Sequence, residues 1–388
     1  MFDWIIIGGG VQGMTSATYL LQSNKTTTSK LRIIDPHKKP LENWKRWTDT
    51  ISMPYLRSPA VHHMDINPSG LRNFSKQFSE DSFYGRYQRP SLALFNKHCD
   101  HLYQDLKLHE CWIQGRVTEV KKKNQHWQII DDEGNTMEAK NIIIAIGIGE
   151  QPSWPEWALE LRKEGKNIHH IFEDSLDIPS LTGPIAVIGG GMTAAHLANK
   201  LAALFPGEVT MVKRHPFRVK LFDSDPGWLG PKNQISFRKN TDYSRRRKEI
   251  VDARHRGSIT QDLHIKLIHL KKKGHLDWMD EEIDSFNLVE EGTLLETKTG
   301  KELFAKTIIL ATGFVPTLPG KEWITPLIKR EKLKCAECGY PIVSSHLEWA
   351  EGLYVTGALA ELQIGPIARN ISGARQAAEK IVSGIKIG

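Results

Sequence analysis

Gly8-Gly9-Gly10-Val11-Gln12-Gly13 follows the apolar run at residues 4–7 and opens a stretch with helical spacing. About 180 residues further on, Gly189-Gly190-Gly191-Met192-Thr193-Ala194 follows the apolar run at 185–188 in the same way. A glycine turn between a strand and a helix is the context in which this pattern carries meaning. Gly8 and Gly189 make the tight turns, and Gly10 and Gly191 let the backbone approach a pyrophosphate. Gly13 and Ala194 must be small so that helix packs on strand, while the helix N-terminus faces phosphate charge. One such match is weak. Two, far apart in one chain, imply two dinucleotides and electrons passed between them.

The second strand of each unit distinguishes the two sites. The strand at residues 31–34 ends at Asp35, where an acid can accept hydrogen bonds from adenosine ribose hydroxyls. The alternative is a solvent-facing turn residue before Pro36. The strand at 208–212 ends instead in Lys213-Arg214, which can pair with a ribose 2′-phosphate that a carboxylate would repel. Solvated basic residues are the alternative there. The simplest assignment is NADPH at the second turn and a ribose-type adenine dinucleotide, FAD, at the first.

The strand at 141–146 runs into Gly147, which permits close backbone approach to a ligand, and 152–155 reads as a crossing between domains. Ala311-Thr312-Gly313-Phe314 echoes Ala145-Ile146-Gly147 as the return crossing. A last strand ends at Gly357. A helix is expected from Gly365-Pro366, with Ile367, Ile371, Ala374, Ala378 and Ile381 as its buried stripe. The expected fold is α/β, with two Rossmann-like dinucleotide-binding domains, the second inserted into the first. FAD domain segments at 1–152 and 315–388 flank an NADPH domain at 153–314. Residues 42–87 read as an aromatic-rich insertion without a clean period that wraps something.

Composition narrows the alternatives. The 388 residues are 40% apolar, enough for two cores. The net charge of +7 is densest at Arg245-Arg246-Arg247-Lys248, Arg254 to Arg256 and Lys271 to Lys273. Acidic residues are interspersed, so a solvated helical face is expected there and nucleic acid is not an expected partner. The first strand begins almost at Met1, leaving no room for a signal peptide, and no apolar run approaches a membrane span. Four cysteines make no disulfide framework. The cytoplasm is the default location, and a homo-oligomer is left open.

The order of these motifs resembles the two-dinucleotide-domain flavoproteins, within them the class B flavin monooxygenases, and most closely the lysine and ornithine N-hydroxylases of siderophore synthesis. Ala311-Thr312-Gly313-Phe314 is close to that family's Ala-Thr-Gly-Tyr. Phe222-Asp223-Ser224-Asp225-Pro226 with Lys232-Asn233-Gln234 is similar to the stretch after its NADPH strand. Leu56-Arg57-Ser58-Pro59 and Tyr87-Gln88-Arg89-Pro90 sit where such enzymes place insertions around the flavin ring. The chain departs from the pattern at Val11-Gln12, where a proline is usual, and at Lys306, where an aspartate is common. His170 lacks the flanking residues of the Baeyer–Villiger fingerprint and reads as structural.

The resemblance implies that NADPH reduces FAD and that a C4a-hydroperoxyflavin passes oxygen from dioxygen to an amine nitrogen or other soft nucleophile of a small-molecule substrate. The protein then places rings and excludes water. Met53, Arg57 and Asn233 are the candidates near flavin and substrate. Gly365 is expected at a helix N-terminus that stabilises reduced flavin. With Gly147 and Gly357 it completes the FAD set, while Gly313 joins the NADPH set. The rival readings are a flavin disulfide reductase using Cys335 and Cys338, which otherwise shape a turn, and a non-enzymatic redox sensor. No metal site is expected.

Overall fold

The computed structural model describes residues 1–78, 82–174 and 176–385. Residues 79–81 of the expected insertion lie outside the described residues.

Each glycine turn sits at the C-terminal end of the middle strand of its own parallel sheet. In the first, Phe2–Ile7 lies between Leu31–Asp35 and Thr136–Ile144, with Trp112–Gln114 and Leu353–Val355 beyond them, all parallel. Ile5, Ile6, Ile142, Ile143 and Ile144 are fully buried, as strands covered on both faces must be. Helix Val11–Gln22 covers one face together with Ile371–Gly384. The hairpin Val117–Lys123 and His126–Asp131 feeds antiparallel into Thr136–Ile144. In the second sheet, Ile185–Ile188 lies between Val209–Lys213 and Thr307–Leu310, flanked by Leu276–Asp280 and Ile168–His170.

The two units repeat each other down to atomic contacts. Gly8 has φ +108° and a side chain there would stand 2.8 Å from the Ala145 carbonyl oxygen; Gly189 has φ +149° and would meet the Ala311 oxygen at 2.5 Å. Both first glycines are therefore forced twice, by dihedral and by the strand end beside them. The segments leaving and re-entering the first unit run side by side. Pro152 and Phe314 form an antiparallel bridge. Ser153 N–H donates to Gly313 O and Val315 N–H to Gln151 O, both at 2.8 Å.

Three expectations are corrected by the structure. The C-terminal helix begins at Ile371, not at Gly365-Pro366. Gly365, at φ +88°, instead ends the short helix Glu361–Ile364. The stripe from Ile367 to Ile381 is buried all the same, with Ile367 reaching the core from the turn before the helix.

The irregular insertion contains a helix, Glu42–Thr50. Trp44 packs on the first core, and Trp47 packs against Phe172 and Phe314 of the second unit at 4.8 and 5.8 Å. Finally, Arg245 and Lys248 are solvated, but Arg246 and Arg247 point inward. Arg246, 5% exposed, donates to Asn240 O, Arg238 O and Leu362 O. Helix Tyr243–Ala253 and the helix before it, Pro231–Lys239, carry Phe237 and Ile250 into the first core, with Trp228 just ahead of them, although this segment departs from the second sheet.

Candidate functional site

The first glycine turn is shaped for close approach. A side chain at Gly13 would overlap the Gly8 carbonyl oxygen and one at Gly9 the Trp112 ring, whereas one at Gly10 would meet nothing within 4 Å. Gly10 caps helix Val11–Gln22 without a side-chain cap, so the N-terminal amides face that open space with their partial positive charge. Asp35 Oδ2 accepts the Gly9 N–H at 2.6 Å, and its Oδ1 accepts from His37 N–H at 2.9 Å. The carboxylate closes the turn and retains lone pairs for a ribose hydroxyl. This open position beside an acid at the second strand fits an ADP half.

Gln12, in sequence merely one letter of the turn, carries the contact with the C-terminal segment. Its Nε2 donates to Ala368 O at 3.0 Å, and its Oε1 accepts from Thr356 Oγ1 at 2.6 Å. Gly357, at φ +63°, lies against the Gln12 side chain. A polar residue inside a glycine turn was the available sequence signal. Gly147 is exposed and Gly313, at φ +80°, has open space around it.

A small crevice of about 30 Å³ opens where three segments converge. Its walls are Arg57 to Pro59 with His62, Phe222 to Pro226 with Leu229, and Ile367, Asn370 and Ser372 at the start of the C-terminal helix. Burial first, then Arg375 and His63, pulls the His62 pKa down to about 4, so the ring is neutral at neutral pH. Arg57 forms one wall as a clasp. Its guanidinium donates to Leu221 O (3.0 Å), Lys220 O (2.7 Å) and Phe222 O (2.9 Å), to Ser258 Oγ (3.0 Å) and to Asp223 Oδ1 (2.6 Å). All three of its nitrogens are engaged in holding the opposite wall. The Arg57 guanidinium is therefore committed to that wall and to Ser258.

Met53 contacts both cores at their junction. Met53, Asn233 and Gly365 do not line the crevice. Asn233 stands beside Gly227 and Gly365 packs on the Trp228 ring, while neighbouring Gln234 ties Trp228 O to Ile364 O.

At the second turn the basic pair divides. Lys213, 3% exposed, is ion-paired with Asp280 on the adjacent strand and lies 4.1 Å from the Phe217 ring centroid. It cannot present its charge to a phosphate, contrary to expectation, because parallel register sets Asp280 directly beside it. Arg214 is exposed and remains available. A side chain at Gly191 would lie 3.5 Å from Gly257 Cα, which brings the loop containing Arg256 next to the turn. Ala194 is fully buried, its Cβ closing the Gly189 corner.

Behind the crevice, Glu361 is fully buried and ion-paired with Arg247 at 2.7 Å and with Arg254 and Arg369. Burial alone would raise its pKa, but the three guanidinium groups hold it below the usual carboxylate range. His170 is buried and bonded to Thr312 Oγ1 at 3.2 Å. Cys335 and Cys338 flank a turn in which Gly339 N–H donates to Ala336 O at 2.8 Å. Among the described residues no cysteine lines the crevice, and no cluster could hold a metal ion.

Residues 5–277 match the pyridine nucleotide-disulphide oxidoreductase family, a span that includes both glycine turns. The chain belongs to that family. The uncharacterized oxidoreductase CzcO of Bacillus subtilis is 24% identical over 208 residues, and the match covers 52% of each chain, about half the length of that curated relative.

The fold is shared much more widely than the sequence. The FAD-bound cadaverine monooxygenase DfoA of Erwinia amylovora superposes with a TM-score of 0.76 at 15% identity, covering 99% of this chain and 95% of its own. The ornithine hydroxylase PvdA of Pseudomonas aeruginosa gives 0.75 at 16% identity, covering 99% and 98%. The bacillithiol disulfide reductase Bdr of Bacillus cereus gives 0.60 at 16% identity, with 98% of each covered. This family member thus has the two-dinucleotide flavoenzyme fold, arranged more like the hydroxylases than the reductase.

Proposed function

We propose that the chain is an FAD-dependent, NADPH-using monooxygenase that hydroxylates an amine nitrogen or another soft nucleophile of a small molecule, with dioxygen as co-substrate. The observation that carries this reading is the crevice itself. It lies between segments tied to both glycine turns, is walled by Arg57's clasp, and has no cysteine in its lining. A disulfide relay would need a thiol pair there. The nearer likeness to the hydroxylases than to the disulfide reductase supports the same choice.

In this reading Gly8, Gly10, Gly13 and Asp35 hold the ADP half of FAD, and Gly147, Gly357 and the 365–370 turn border the rest of it. Gly189, Gly191, Ala194, Gly313 and Arg214 hold NADPH, Arg214 taking the 2′-phosphate. FAD supplies the hydride acceptor and dioxygen-activating chemistry that no protein side chain provides. The chain's own residues bind, orient and keep dry. Arg57 fixes the 220–223 wall, Met53 seals the junction between the units, and neutral His62 offers a ring nitrogen to the crevice. The N-terminus of helix Ile371–Gly384 directs partial positive charge into it. The domain division remains 1–152 and 315–388 for FAD and 153–314 for NADPH, with 226–253 returned to the first core. Among the described residues no helix is long and apolar enough to cross a membrane.

The test is NADPH oxidation by the FAD-loaded protein with a panel of primary amines under isotopically labelled dioxygen. One labelled oxygen atom in an N-hydroxylated product is the expected result. Disulfide-dependent NADPH oxidation that disappears with Cys335→Ser would overturn the proposal.

A further inference from the structure

Three walls meet at the crevice, and Arg57 ties two of them, the 56–59 segment and the 220–223 loop. The third wall, with Ile367, Asn370 and Ser372, is tied by Arg254. The Arg254 backbone forms an antiparallel bridge with Ser224, which is buried in the crevice lining. Beside it, His255 N–H donates to Asp223 O at 2.7 Å, and Phe222 O accepts from His255 Nδ1 at 2.9 Å. The Arg254 side chain runs the other way. Its Nε donates to Pro366 O at 3.1 Å and its Nη2 to Glu361 Oε1. Arg369 Nε donates to that same oxygen, so one carboxylate oxygen holds Arg254 and, through Arg369, the far end of the 365–370 turn. The turn is also braced from within: Ala368 N–H donates to Gly365 O at 3.1 Å and Asn370 N–H to Ile367 O at 2.8 Å.

We propose that Arg254, held by Glu361, is a positioning residue that sets the spacing of the 222–226 and 367–372 walls. It thereby sets the width of the amine end that the crevice admits, a role that rests on reading the crevice as the place where the amine is hydroxylated. At about 30 Å³ the crevice has room for roughly two waters, so a small change in spacing decides between a straight and a branched end. A guanidinium suits this task. A lysine ammonium could keep the ion pair with Glu361, but it lacks the planar fork that serves Pro366 O and the carboxylate at once. Glu361 keeps the tie in place. The Arg254 side chain is only 14% exposed, and Glu361 is its ion-pair partner among the described residues; without it a largely buried charge would be uncompensated.

Arg247 supplies an internal comparison. It pairs with the other carboxylate oxygen, Glu361 Oε2, at 2.7 Å, and lies 3.9 Å from the Tyr340 ring centroid. Its Nε and Nη2 have no hydrogen-bond partner among the described residues, so it bonds to neither wall. A change at Arg247 therefore disturbs the same buried carboxylate without loosening the crevice.

The experiment compares Arg254→Lys and Arg247→Lys with the parent, each as the full-length protein loaded with FAD. Hydrogen–deuterium exchange over 222–226 and 365–370 is measured alongside kcat and KM. The substrates are the straight-chain primary amine that the parent hydroxylates fastest and its α-methyl-branched analogue. In Arg254→Lys, exchange should rise about tenfold in both walls. KM for the straight amine should rise about tenfold with kcat within about twofold, the mark of binding lost equally from ground and transition states. The preference for the straight amine over the branched one should shrink by about the same factor. Arg247→Lys should lower the melting temperature yet leave wall exchange, KM and preference unchanged. Unchanged exchange in Arg254→Lys, a rise in one wall alone, or equal shifts in Arg247→Lys would each overturn the proposal. A parent that hydroxylates no amine would overturn the monooxygenase reading, whereas intact turnover with uncoupled walls would overturn only the role of Arg254.

Discussion

At Gly10 an added methyl group meets no atom within 4 Å, whereas at Gly13 it would overlap the Gly8 carbonyl oxygen. The two positions should therefore fail differently. Gly10→Ala is expected to fold with an unchanged melting temperature but purify without bound FAD, because the methyl group occupies the pyrophosphate's path. Gly13→Ala should lose about 1–3 kcal/mol or more through overpacking. Thermal melts and visible flavin absorbance separate the outcomes, and a yellow Gly10→Ala protein would refute the placement. The basic pair divides similarly. Lys213→Ala should cost about 1–3 kcal/mol of stability with its ion pair lost and leave the NADPH to NADH preference intact. Arg214→Ala should spare stability and reduce that preference about five- to 150-fold, the equivalent of about 1–3 kcal/mol. Titrating each nucleotide against the variants decides it, and a preference lost with Lys213 alone would reverse the assignment. The glycine turns were legible because each is a local pattern. The burial of Lys213 was not, since Asp280 stands 67 residues away along the chain.

Arg57 shows what a whole element can hide from a linear reading. Its position in the sequence suggests a flavin-proximal cation, but four donations fasten the 56–59 segment to the 220–223 loop and a fifth reaches Ser258. Arg57→Ala is expected to leave NADPH oxidation within about fivefold of the parent, a small change in barrier. Hydroxylated product per NADPH should fall sharply, with hydrogen peroxide making up the difference as water enters the crevice. Simultaneous peroxide and product assays check this; unchanged coupling would remove Arg57 from the site. The helix Glu42–Thr50 escapes a linear reading because Trp44 and Trp47 serve two different cores, so no single apolar stripe marks it. The C-terminal helix starts six residues later than its sequence suggests, at Ile371 instead of Gly365. Gly-Pro reads as a helix opening, while here the glycine ends one short helix and a turn intervenes.

Across the whole molecule, five histidines, His62, His63, His98, His170 and His196, have pKa values lowered to about 4, chiefly by burial. Their unfolded values lie near 6.5. Unfolding therefore takes up protons between about pH 6.5 and 4, and stability rises with pH across that window. It is complete above the unfolded value and lost as pH falls towards the folded one, at up to about 1.4 kcal/mol per pH unit for each ring. Glu361, whose pKa is depressed, adds its loss at lower pH still. Melting temperatures should be level from about pH 7 to 8 and drop steeply between about 6 and 4; a level profile through pH 5 would contradict these assignments. The inserted order of the units was readable from the repeated Ala-x-Gly crossings, but the return of 226–253 to the first core was not, since only packing reveals it. The bridge between Pro152 and Phe314 has one more consequence, for ancestry. Where the departing and arriving strands are hydrogen-bonded neighbours, a gene can acquire the intervening unit in a single in-frame event without reordering the host sheet.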